Sequence, residues 1–197
     1  MRQSGFLLRV ACSMLVAFAL AGNVAAQKKD DEKAPPPTGI DAATGKILTE
    51  AIEALNKENY AGAKAAVGKL KLDTLSPYER SRTEQILATI ESSRDNYPGA
   101  QKHLQAAIGA GGLNEKEVSD TRYQIAQMFL AQEKWKEGAA ALEQWFQTAQ
   151  NPNGAAYYLL AVAYYQQNDF KRAIVPAQKA VDLTDKPQES WVQLVLA

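Results

Sequence analysis

The residues of this 197-residue chain that could do chemistry are few and scattered. Gly39-x5-Gly45-Lys46-Ile47 has the outline of a phosphate-binding loop, in which backbone N–H groups cradle phosphates and a lysine reaches them. The working motif puts four residues between its glycines and Ser or Thr after the lysine. Here there are five and an isoleucine, so nucleotide binding is not expected. His103 is the single histidine and Cys12 the single cysteine, which leaves no partners for a zinc site or a His-dependent triad. With Lys102 beside it and Gln105 nearby, His103 is expected on a helix surface facing solvent. Glu91 and Asp95 stand at i, i+4 with Arg94 between them, the pattern of a solvated charged face. A glycosidase needs two carboxyls positioned across a cleft, and nothing favours that here. The glycines of Gly109-Ala110-Gly111-Gly112 read as a left-handed helix C-cap. No catalytic residue, cofactor site or metal site is expected, and no enzymatic activity within these residues.

Composition narrows the classes further. Lys+Arg and Asp+Glu are both 22, so there is no excess of positive charge with which to neutralise a nucleic acid. The chain is 46% apolar, enough for a core, and its 34 alanines without long Val/Ile/Thr runs favour helix over strand. Met1 to Ala26 carries no acidic residue, begins with Arg2 and Arg9, holds an apolar run from Val10 to Ala21, and ends in Val24-Ala25-Ala26 before Gln27. That is the layout of a cleaved secretory signal, with a retained membrane anchor as the alternative. Cleavage leaves 20 basic and 22 acidic residues, a net charge of −2, and no cysteine. Residues 27–39, QKKDDEKAPPPTG, read as a flexible charged and Pro-rich linker. No membrane span is expected in the mature chain.

The elements that must position everything else emerge from internal similarity. A shift of 35 residues superposes Tyr123 on Tyr158, Ile125 on Leu160, Ala126 on Ala161, Phe129 on Tyr164, Trp135 on Phe170, Gly138 on Ala173 and Pro152 on Pro187. Anchor aromatics recur at Tyr60, Tyr97, Trp135 and Phe170, spaced 37, 38 and 35, each between two stretches with helical apolar spacing. Small residues at Ala126, Ala161, Gly138 and Ala173 let paired helices approach, with Phe129, Tyr164, Trp135 and Phe170 filling the space beside them. Ser76-Pro77-x-Glu79 supplies an N-cap, a Pro at N1 and a capping-box Glu, and Asn114 with Glu117 repeats the device. Pro176 falls inside a helix and is expected to kink it.

On these residues the chain resembles the tetratricopeptide repeat (TPR) family. The best copy is Tyr157-x2-Leu160-Ala161-x2-Tyr164, then Asn168-Asp169-Phe170-x2-Ala173, then Ala180-Val181. It departs from the family pattern at Ala177, where a large aromatic is usual, and at Asp185, where a closing Pro is expected. The resemblance implies an all-α fold, a TPR-like α-solenoid of antiparallel helix pairs wound into a right-handed superhelix over residues 40–197. Repeats fall near 44–74, 77–112, 115–152 and 154–186, with the start of a fifth at 187–197. Because Leu194, Val195 and Leu196 have no polar capping helix after them, the chain is expected to be part of a longer array.

The resemblance also implies a protein or peptide ligand laid along a concave groove lined by the first helix of each repeat. Carried onto this sequence, that groove takes Arg82, Gln85, Thr89 and Ser92, then Tyr123, Gln127 and Leu130, then Tyr158, Val162, Tyr165 and Gln166. Tyr123 and Tyr158 are expected to stack as a ladder, with packing between repeats as the alternative. The segments LSPYER, NYPGA, YQIAQ, Trp135-Lys136-Glu137-Gly138, YYLLAVAYYQ and Pro187-x-Glu189-Ser190-Trp191 further resemble proteobacterial envelope TPR proteins encoded beside TonB, ExbB and ExbD. What this implies is a periplasmic scaffold accessory to TonB-dependent outer-membrane transport. Alternatives are an envelope-assembly factor regulating peptidoglycan synthesis or outer-membrane protein insertion, and the N-terminal repeat part of a longer enzyme.

Overall fold

The structure, a computed structural model, describes residues 39–185 together with Glu189 and Trp191. The leader at 1–26, all of the 27–39 linker but Gly39, and the 187–197 segment apart from those two residues lie outside the described residues. Eight α-helices and a short 3₁₀ turn at Leu72–Thr74 make up the described secondary structure, with no strand among the described residues. The helices are α1 (Ala42–Asn56), α2 (Tyr60–Val67), α3 (Pro77–Ser92), α4 (Tyr97–Gly109), α5 (Glu115–Ala131), α6 (Trp135–Phe146), α7 (Gly154–Gln166) and α8 (Phe170–Asp182). They form two compact units that meet within α5, at Val118 and Ser119.

Each pair is joined by the same turn. Glu58, Asp95, Glu133 and Asn168 adopt φ of 55°, 56°, 59° and 59°, the left-handed region, although none is glycine. The next amide in each case donates back across the turn: Asn59 to Ala54 at 2.8 Å, and Asn96 to Glu91, Lys134 to Phe129 and Asp169 to Tyr164 at 3.0 Å. This Schellman closure satisfies carbonyls that a helix end leaves orphaned. The following helix then begins at the anchor aromatic, and its N-cap side chain accepts from the N3 amide: Asn59 from Gly62, Asn96 from Gly99, Asp169 from Arg172. Lys134 holds the same backbone geometry but has no acceptor, and its helix starts without a side-chain cap.

In the first unit Leu48, Ala51, Ala63, Ala66, Val67, Ile86 and Ile90 form the buried core. α3 carries several buried polar groups that find partners inside the unit. The Ser81 hydroxyl donates to the Ala107 carbonyl at 2.8 Å and accepts from the Gly112 amide at 3.2 Å. Gly112 owes its identity to this approach, because a Cβ there would stand 2.3 Å from the Pro77 carbonyl oxygen. Of the glycines expected to make a left-handed cap only Gly111, at φ 76°, does so; Gly109 ends α4 itself. Glu79, 5% exposed, completes the Ser76 capping box and also accepts from the Asp41 amide at 2.8 Å, tying the start of α1 to the start of α3.

In the second unit Ala126, Leu130, Ala139, Leu142, Leu160, Ala163, Tyr164 and Ala173 form one buried cluster, with Tyr123, Trp135, Trp145 and Phe146 packed against it. Gly138 sits where α5 and α6 cross: a Cβ added there would meet Leu130 Cδ2 at 2.2 Å. α8 runs unbroken from Phe170 to Asp182 with Pro176 buried inside it.

Candidate protein-binding surface

The stripe carried by the first helices is split by the fold into residues that are available and residues that are not. In the first unit Arg82 is committed internally. Its Nη1 donates to Gln85 Oε1 at 2.9 Å, it forms an ion pair with Glu117 of α5, and its guanidinium stands 4.8 Å from the centre of the Tyr78 ring. Burial works against that charge, but the Glu117 carboxylate and the Tyr78 phenol together outweigh it and hold the guanidinium above the usual arginine range. Gln85 and Thr89 remain half-buried on the same face. Ser92 lies on that face too, but its hydroxyl is buried without a hydrogen-bond partner.

In the second unit the expected groove residues Gln127 and Leu130 are interior, at 8% and 1% exposure. Leu130 stands three residues before the left-handed turn residue Glu133. That place faces the small residue of the second helix, here Gly138, so a side chain on it fills the helix crossing instead of lining a groove. Tyr158 and Val162 are half-buried, and Tyr165 and Gln166 are exposed.

The expected Tyr123–Tyr158 ladder is replaced by another. Tyr123 packs on Trp145 at 4.6 Å between ring centroids, Trp145 on Phe146 at 5.0 Å, and Phe146 on Tyr157 at 4.6 Å. The last turn of α6 thus inserts two rings between the tyrosines, and the neighbour Tyr157, not Tyr158, completes the run. Tyr158 instead stacks on Trp191 at 4.9 Å, with 18° between the planes. The Trp145 indole N–H donates to the Ser119 hydroxyl at 3.0 Å, which fixes the centre of the run.

Two polar clusters escaped the sequence reading. His103 is not a free surface group: its Nδ1 lies 2.7 Å from Oε2 of Glu84, a carboxylate whose side chain is only 6% exposed. The two residues sit on the facing helices α3 and α4, so linear spacing gave no sign of the contact. Tyr164 donates its phenol to Glu143, and Arg172 stands over its ring at 4.6 Å and binds Asp169 at 2.5 Å. Burial, then the Glu143 carboxylate, pushes the Tyr164 phenol up to about 12. Phe170, expected to fill space beside the helix crossing, is 52% exposed and meets Tyr165 edge-on at 5.3 Å.

Among the described residues no group of His, Cys, Asp or Glu is placed to hold a metal ion, and no helix is long and apolar enough to cross a membrane. Gly45 and Lys46 lie inside α1, whose N-terminus is capped by Asp41.

No protein-family model and no curated protein matches the sequence. Among solved structures the chain is similar to one from the APC/C hetero-tetramer Cut9–Hcn1, with 13% identity and a TM-score of 0.60, over 78% of this chain and 29% of that one. It is also similar to a tetratricopeptide repeat protein from Parabacteroides merdae, with 18% identity and a TM-score of 0.50, over 78% of this chain and 56% of that one. The chain spans less than two thirds of the length of either. These likenesses establish the fold, an all-helical TPR-like solenoid of paired helices, and such a fold offers surfaces for protein partners.

Proposed function

We propose that the protein is an exported, non-catalytic scaffold that binds a protein partner in the periplasm, as an accessory of TonB-dependent outer-membrane transport. The observation that carries the binding role is the partly exposed stripe on the first helices, Gln85 and Thr89 in one unit and Tyr158 and Val162 in the other. Tyrosine at such a place offers contact area and a hydroxyl at low conformational cost. The polar groups that could be mistaken for chemistry, Arg82, Glu84, His103 and Tyr164, are each engaged with a neighbouring side chain. The export reading rests on the arginines, apolar run and Val24-Ala25-Ala26 of the leader. The TonB reading rests on the sequence segments that resemble envelope proteins of that kind.

A photo-crosslinking residue placed at Thr89, and separately at Val162, in living cells tests both parts. Crosslinks to proteins of the TonB system are the expected result. Crosslinks to peptidoglycan synthases or outer-membrane insertion machinery would replace the transport role with an assembly role. The absence of crosslinks from either position, with the protein present at normal level, would remove the stripe as a binding surface. Fractionation with N-terminal sequencing is expected to find the mature chain in the periplasm, starting at Gln27.

A further inference from the structure

The stripe on α3 differs from its counterparts in the kind of group it shows. Ten and six residues before the left-handed turn residue Asp95 stand Gln85 and Thr89, both half-buried. The same places hold Leu48 and Ile52 before Glu58, Tyr123 and Gln127 before Glu133, and Tyr158 and Val162 before Asn168. Gln127 is buried, so among the described first helices α3 is the one with accessible polar aliphatic side chains at both places. Their polarity is fixed from within. The Arg82 guanidinium carries only donors, and its Nη1 donates to Gln85 Oε1 at 2.9 Å. The carboxamide oxygen therefore faces Arg82, and the two N–H of Nε2 are turned away from it. The Thr89 hydroxyl spends its proton on the Gln85 carbonyl at 3.0 Å, so toward any other group its oxygen can only accept. Arg82 is itself held, by the ion pair with Glu117 and by the Tyr78 ring 4.8 Å from its guanidinium.

Resting on the scaffold reading above, we infer that Arg82 is a positioning residue that holds Gln85 as a donor for an extended, uncharged segment of the partner. One main-chain carbonyl of that segment accepts from Gln85 Nε2, and one main-chain amide donates to Thr89 Oγ1. The two side chains stand one helical turn apart on a single face. In an extended segment the carbonyl of one residue and the amide two residues on turn to the same edge, so together they can meet such a pair. A partner helix spends those groups within itself and could not. The segment is uncharged because the stripe is: the Arg82 charge is answered by Glu117, and Gln85, Thr89 and Ser92 carry none. An acidic residue would find no free cation there and would stand against the Glu117 carboxylate. A loose glutamine loses much rotamer freedom on binding, whereas one already held by Arg82 has less to lose. The places matching Arg82 hold Gly45, Asp120 and Ala155, so no other described repeat carries the device.

The test places a photo-crosslinking residue at Ser93 of the full chain in living cells and maps the captured segment by mass spectrometry. Ser93 is exposed one turn beyond Thr89, so both contacts stay in place. Crosslinks to an uncharged segment are expected, with a yield that falls about tenfold in Gln85→Glu, which keeps an oxygen toward Arg82 but has no N–H to offer. The melting temperature of that variant should match the wild type, which separates lost recognition from lost folding. Arg82→Met should lower the yield when residue 85 is glutamine and have no further effect in a Gln85→Met background. An equal loss in both backgrounds would give Arg82 a purely structural role and overturn the inference. So would an undiminished yield in Gln85→Glu, or a captured segment that is acidic or helical in the partner. Crosslinks from Val162 with none from Ser93 would overturn it while leaving the scaffold reading in place. Crosslinks from neither position would remove both.

Discussion

At the level of single residues, the chemistry-bearing side chains serve the fold. Glu84 is nearly sealed between α3 and α4, and His103 is its partner. Removing the imidazole with His103→Ala leaves a buried carboxylate unpaired, at a cost of about 1–3 kcal/mol. The double variant with Glu84→Ala should lose less than the sum of the single losses, because the stranded charge is gone; urea titrations of the four proteins measure it. Additive losses would mean the pair is not coupled. Tyr164 gives a pH signature. Its folded phenol is pushed up to about 12 by burial and then by Glu143, above its ordinary value of 10.0. A raised value stabilises the protonated form, so the contribution is complete below pH 10.0 and is lost as pH rises toward about 12. The Tyr164→Phe protein should lack that alkaline decline, with melting temperature against pH as the readout. Neither pair was legible in the sequence, since partners 19 and 21 residues apart meet only once two helices have been laid side by side.

At the level of the element, much more could be read in advance. The capping box at Ser76 and Glu79, the anchor aromatics at the head of each second helix, and the small residues where helices cross are local or periodic, and the sequence displays them directly. What it hid was the role of the residue three places before each turn. Helical spacing alone cannot tell the expected groove face from the edge of the crossing beside it, so Leu130 reads as a groove residue in the sequence and fills the crossing in the structure. The structure separates them through Gly138. Gly138→Ala is expected to destabilise by about 1–3 kcal/mol, since the added methyl meets a Leu130 side chain with no room to move. The intrinsic helix preference of alanine acts in the opposite direction, so a rise in melting temperature would disprove the tight crossing. Lys134→Asn should raise stability by about 1 kcal/mol, because it supplies the one N-cap acceptor that the four equivalent turns lack. Thermal melts of that variant against wild type decide it.

For the molecule as a whole, the class of fold was legible because a repeat writes its architecture several times over, and one clear copy, residues 157–181, identifies the blurred ones. The residues expected to line a groove were less legible, because their availability depends on which first-helix residues are consumed by packing within each unit, and Gln127 and Arg82 are consumed in different ways. Within the first unit the Glu79 carboxylate is one link between the first two helix pairs, beside the apolar core they share. Burial would raise the pKa of Glu79, but hydrogen bonds from the Ser76 hydroxyl and amide, the Asp41 amide and the Thr44 hydroxyl outweigh it, and the net direction is down. A lowered value stabilises the ionised form, so its contribution is present above pH 4.5 and is lost as acid carries the solution through the folded value. Hydrogen exchange at neutral pH should find the first turn of α1 less protected in Glu79→Gln than in wild type, and acidification should narrow that difference as the wild-type carboxylate is protonated. Identical protection in the two proteins would show that the link is inconsequential.

The four turns built on Glu58, Asp95, Glu133 and Asn168 have a consequence for how such a chain can be rewritten. Their closure is made by amides and carbonyls, which nearly every amino acid brings, and the residue at the apex contributes little more than tolerance of an unusual backbone angle. The joints therefore impose almost no spelling on the gene. A library with those four codons opened to every polar residue and glycine, but closed to proline and the β-branched residues, should remain largely foldable, leaving the surfaces between the joints free to be reassigned to new partners.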